Sequence, residues 1–198
     1  MPSSENIQIY LTGAGRMMMG KADGLRLLDL TADGFWNSFF AIVVALPALM
    51  VGWVGVANEF SMMSADFGSR FSIALRFAMI DLVVWVLPIV ALAAIASPAG
   101  LADRFVHLVV ASNWASALFI WVTVPVPLAG LILSLAPETR ILLSFMLLAA
   151  NLVVTWRVTH IAVARGPGVT TAIVGAMLLM SLVIQAFMMS ALGLGQES

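Results

Sequence analysis

Asp81 raises the first chemical question in this chain. It sits near the middle of the apolar stretch 70–97, where a carboxylate costs about 2.5–3.5 kcal/mol on insertion scales. A group in that position faces a bundle interior, pairs with a partner or holds a proton. Arg76 is the nearest basic residue, but five residues turn a helix by about 500°, leaving the two side chains roughly 140° apart. Arg76 is therefore expected to snorkel to the interface. Asn113 and Asn151 each fall close to the centre of their own apolar stretch, so Asp81, Asn113 and Asn151 could meet at one depth. Two readings of this trio stay open. It could bind a proton or Na⁺, or it could glue three helices together, because interhelical polar contacts in membranes average about 0.6 kcal/mol.

His107 and His160 form a second constellation at one depth, the arrangement that a bis-histidine haem or a metal needs. Arg104, Arg157 and Arg165 surround the same level and are candidates for an anionic-lipid head-group site. A plain interfacial cluster is the alternative for all five residues. No cofactor is expected, with haem on the two histidines as the exception to test.

These residues need elements to hold them, and composition says what kind. Of the 198 residues, 62% are hydrophobic and 10% charged; the mean hydropathy is +1.07. A soluble domain averages about 45–50% apolar and about 25% charged, so the missing solvent face must be lipid. This composition excludes a soluble enzyme and a disordered chain. A net charge of −1 with no basic tract excludes a nucleic-acid binder. Without cysteine there is no disulfide framework, thiolate zinc site or Cys nucleophile. Abundant Ala and eight Arg to one Lys suit a GC-rich bacterial source.

Five stretches reach the length of about 20 residues that a bilayer requires: 34–57, 70–97, 101–124, 139–164 and 169–194. Thr31-Ala32-Asp33-Gly34 is a helix-cap pattern before the first. The third apolar run continues to Ala136, about 50 Å of helix and too long for one untilted span. Pro125 and Pro127 each remove a backbone donor and clash with the preceding turn. That span is expected to end near Val124, leaving 128–135 as an interfacial or re-entrant stub. Residues 195–198 are a short tail. No cleavable signal peptide is expected, since 1–6 is polar and no cleavage site follows an early apolar run.

Within 1–33, Ile7, Leu11, Ala14 and Met18 recur at helical spacing, and Leu25, Leu27, Leu28 and Leu30 follow Gly24. With Arg16, Lys21 and Arg26 among them, the segment suits one or two short helices lying in the interface, apolar side down. Basic residues beside the spans set orientation. An N-terminus in the cytoplasm puts six there (Arg16, Lys21, Arg26, Arg104, Arg157, Arg165) and three outside (Arg70, Arg76, Arg140). The fold class is thus an all-α polytopic membrane helix bundle, with five transmembrane helices and an N-terminal interfacial amphipathic segment. Its expected place is a bacterial inner membrane, N-terminus cytoplasmic and C-terminus periplasmic.

Gly168, Ala172 and Ala176 make a small-residue ridge suited to close helix packing. Trp36, Trp53 and Trp156 suit interfacial belts, whereas Trp85, Trp114 and Trp121 lie deeper. There is no HExxH, Walker loop or GxSxG elbow. The layout of five closely spaced spans after an N-terminal segment, with Asp33-Gly34-Phe35-Trp36-Asn37-Ser38-Phe39 opening the first, resembles the Yip1-type membrane protein superfamily. The Asp-Leu-Tyr-Gly-Pro signature of its eukaryotic members is absent; Asp29-Leu30-Thr31 shares its first two residues. The resemblance implies a non-enzymatic membrane protein that acts through partners. The chain is therefore expected to be a scaffold or accessory subunit, held in lipid and bound to a membrane-protein partner or a second copy. The alternatives are a small H⁺- or Na⁺-coupled transporter or channel using Asp81, and a haem electron-transfer subunit using His107 and His160.

Overall fold

Four of the five long helical units start where a side chain or a proline can close the first turn. Thr31 Oγ1 accepts from the Gly34 N–H at 3.1 Å, and Asp29 Oδ1 in turn accepts from Thr31 N and Oγ1 at 3.0 and 2.7 Å. Asp66 caps the next span by accepting from the Ser69 N–H at 3.0 Å. Pro137 and Pro167 stand in first turns, where a missing N–H leaves no bond unmade. Positive φ at Gly100 and Gly166 lets the chain reverse between helices.

The computed structural model describes residues 1–60, 66–133 and 135–194. Its elements are α1 (Ser4–Met18), a 3-10 helix (Ala22–Leu27), α2 (Ala32–Ser38), α3 (Phe40–Phe60), α4 (Phe67–Ala96), α5 (Ala102–Thr123), α6 (Pro125–Ile132), α7 (Pro137–Val163) and α8 (Pro167–Ala191). Among the described residues there is no strand. Five units are long and apolar enough to cross a membrane: Ala32–Phe60, Phe67–Ala96, Ala102–Ile132, Pro137–Val163 and Pro167–Ala191. The all-α bundle expected from the sequence is the fold. The tail 195–198 lies outside the described residues.

The third span corrects the expectation. Val124 keeps right-handed helical angles, and the bonds Val124 N to Ile120 O and Leu128 N to Val124 O carry the ladder across the break. Thr123 Oγ1 donates to the carbonyls of Phe119 and Ile120. Pro125 occupies the first turn of α6, where its lost donor is harmless. The chain therefore continues helically through the prolines instead of turning back, and α6 packs on α3.

α5 is the hub. It touches α1, α2, α3, α4, α6 and α7, and Trp114, Ala111 and Ala117 on it have almost no exposed surface. The N-terminal segment gives the second correction. It does form two short helices, but α1 turns its apolar side onto α5 and α7. Ala14 and Met17 are fully buried, Tyr10 lies against Trp114 with ring centroids 5.2 Å apart, and Arg157 Nη1 donates to Met18 O at 3.2 Å. Trp114 stands twelve residues into α5, about 18 Å along its axis. Residues 4–18 thus reach well past the helix end.

The 3-10 helix folds back on α1 through two glycines. A Cβ at Gly13 would stand 2.7 Å from Gly24 O, and one at Gly24 would strike Gly13 O and come within 2.9 Å of Arg16 Cβ. The Arg16–Asp23 ion pair closes the same contact. Gly24→Ala is expected to lower stability by about 1–2 kcal/mol through this overlap, read as a drop in thermal midpoint in detergent. Gly20→Ala, which meets no atom within 4 Å but sits at positive φ, should cost less than the collision does.

Asp66 gives a pH-dependent counterpart. The Ser69 hydroxyl and N–H hold its carboxyl below the usual range. A depressed pKa contributes stability above the ordinary carboxylate range and loses it as pH falls through the lowered value. Asp66→Ala should therefore lower the thermal midpoint at neutral pH, and the gap to wild type should close on acidification.

Candidate functional site

Asp81 projects from the middle of α4 and is half-buried. Its Oδ2 accepts from Trp53 Nε1 of α3 at 2.7 Å. Asn113, on α5, has no exposed surface. Both ends of its amide are engaged: Oδ1 accepts from Trp85 Nε1 at 2.9 Å, and Nδ2 donates to Ser38 Oγ at 2.9 Å. This one side chain pins α2, α4 and α5. Asn151, on α7, is exposed and accepts from Thr155 Oγ1 one turn on, at 3.2 Å.

The three residues line one cavity of about 390 Å³ between the spans. Ser112, Ser116, Thr155 and Ser181 add hydroxyls to its wall, and Leu49, Trp85, Phe119 and Met177 are among its apolar residues. All five spanning units contribute. A neighbouring cavity of about 300 Å³ shares Leu49, Asp81 and Ile120 and adds Trp53, Phe77, Thr123 and Gln185. Among the described residues, Asp81 is the one charged side chain lining either cavity. Another cavity, about 700 Å³, lies elsewhere, beside the Glu59–Arg140 ion pair at 2.8 Å.

The trio thus shares a cavity but splits in role. Asn113 is a strut, whereas Asp81 and Asn151 present polar atoms without a comparable set of bonds across helices. Sequence reasoning missed the tryptophan donors, which stand 28 residues before their acceptors. Trp53 in particular serves Asp81 and not an interfacial belt. A signal for the cavity wall was present, since Ser112 and Ser116, and Asn151 and Thr155, are polar pairs at i,i+4 on apolar helices.

The histidines have different surroundings. His160 Nδ1 lies 3.1 Å from Thr170 Oγ1, and its ring stacks on Trp156 at 4.8 Å and 9°. His107 Nδ1 is buried without a hydrogen-bond partner. Among the described residues no three His, Cys, Asp or Glu side chains cluster as metal ligands would.

The arginines are also committed to protein groups. Arg165 Nη2 reaches both oxygens of Asp103 at 2.9 Å, and Arg104 Nε lies 3.6 Å from the same carboxylate. Arg157 caps α1 at Met18 O, where a cation suits the helix dipole. The open basic cluster expected for anionic lipid is instead partly neutralised by Asp103, next in sequence to Arg104. The Asp103–Arg165 and Glu59–Arg140 pairs mark the two ends of the bundle. Compared with family models, curated proteins and solved structures, the chain finds no match.

Proposed function

We propose that the chain is a small proton- or sodium-coupled membrane carrier in which Asp81 takes up the coupling cation. The observation that carries this reading is the cavity at mid-bundle, where a lone carboxylate meets hydroxyls and amides from several spans. Ionisable groups in such places mark ion pathways and proton relays. Asn151 and Thr155 are the added ligands, and Asn113 holds the wall. The membrane is read as a bacterial inner membrane with the N-terminus cytoplasmic, which places the Asp103–Arg165 end inside. Two copies are expected to form the pathway. The test is flux in proteoliposomes: purified protein should move H⁺ or Na⁺ down an imposed gradient, and silent vesicles under both gradients would remove the proposal.

A second reading, an accessory subunit acting through a partner, has one observation in its favour. The ridge of Gly168, Ala172 and Ala176 is not packed away. A Cβ at Gly168 would meet nothing within 4 Å, and Ala172 and Ala176 line an open apolar groove between α4 and α8. The Yip1-type layout belongs with this reading. Crosslinking in cells at Ala172 should capture a neighbour; a lone monomer under mild extraction would end it.

A further inference from the structure

We propose that the ligand carried at Asp81 is a lipophilic organic cation, an aryl-substituted ammonium of about the size of benzyltrimethylammonium. The inference rests on the carrier reading above and supplies its substrate class. Three observations point the same way.

The first is size. The two cavities meeting at Asp81 hold about 390 and 300 Å³, within the range of about 300–1,000 Å³ found for small-molecule sites. A bare Na⁺ needs a tight shell of oxygens, and a proton needs no cavity at all. The second is charge. Among the described residues Asp81 alone carries charge along both walls, so one monovalent cation balances the site. The third is the wall itself. Trp85 and Phe119 line the first cavity, and Trp53 and Phe77 the second. Four aromatic side chains in the walls of two cavities that share one carboxylate favour a weakly hydrated cation with apolar substituents, through ring quadrupoles and apolar contact together. Trp53 Nε1 fixes one carboxylate oxygen at 2.7 Å, which orients the charge without neutralising it.

The experiment uses radiolabelled benzyltrimethylammonium on the full chain in detergent. Saturable binding is expected, weakened at least about tenfold in Asp81→Asn and several-fold in Phe119→Leu, which removes a ring but no hydrogen bond. Excess neopentylbenzene, the uncharged isostere, should leave the label in place. Thermal midpoints show that both variants are folded. Absence of saturable binding, or equal binding by wild type and Asp81→Asn, overturns the inference. H⁺ or Na⁺ flux, measured after the same preparation is reconstituted into liposomes, separates the two proposals. Asp81-dependent flux without label binding sinks this substrate class and leaves the carrier. Loss of both sinks both.

Discussion

Asp81→Asn should reduce gradient-driven cation flux to the level of empty liposomes while leaving the bundle folded. The substitution keeps an oxygen that can accept from Trp53 Nε1, so the α3–α4 bond of 2.7 Å survives. It removes the one charge that the described residues place in the cavity walls, and with it part of an insertion cost of about 2.5–3.5 kcal/mol. The thermal midpoint is therefore expected to hold or rise. Flux and stability move in opposite directions, which separates a transport residue from a structural one. A variant that unfolds would show that the carboxylate itself holds α3 to α4; one that transports normally would show that Asp81 is no coupling site.

Asn113→Leu should do the reverse, destabilising the protein by about 1–3 kcal/mol, mainly through the Trp85 indole N–H left unpaired. The Trp85 indole N–H loses its acceptor, and the Ser38 hydroxyl loses the amide donor while keeping its own bond to Phe35 O at 2.7 Å. Ser38 is itself fully buried, so water cannot easily replace the amide. The expected loss exceeds the average of about 0.6 kcal/mol for a polar contact between membrane helices, because one side chain ties three helices together. Asn151→Leu is the control. That residue is exposed and bonded within its own helix, so its loss should change flux more than midpoint. Equal midpoint shifts in the two variants would contradict the division of roles.

Five spans were legible in the sequence because lipid imposes a length and a hydropathy that a single window can detect. Caps at Thr31 and the breaks near Gly100 and Gly166 were legible too, since they depend on a few adjacent residues. Val124 was misjudged for a local reason: two prolines spaced two apart read as a stop, yet the first can open a new turn while the ladder resumes beyond it. The shared depth of Asp81, Asn113 and Asn151 followed from counting along helices, and they do line one cavity. Their partners did not follow, because Trp53 and Trp85 come from turns of other helices that rotation alone selects. The apolar stripe of α1 was visible, but periodicity cannot say whether such a stripe meets lipid or protein.

That choice has a consequence for how the molecule is assembled. The Arg157–Met18 bond joins residues 139 apart in the chain. At an elongation rate of about 5–20 residues per second, Met18 waits about 7–28 s for Arg157 to be synthesised. Throughout that interval the docking face of α1 on α5 and α7 does not yet exist in full. The nascent segment 4–27 must lie on the bilayer surface or be held by an insertion factor, apolar side covered by something other than its final neighbour. The amphipathic character read from the sequence describes this waiting state, and the buried packing of Ala14 and Met17 describes its end. α1 is made before the faces that receive it, so it reaches its final place only after α7 has been synthesised.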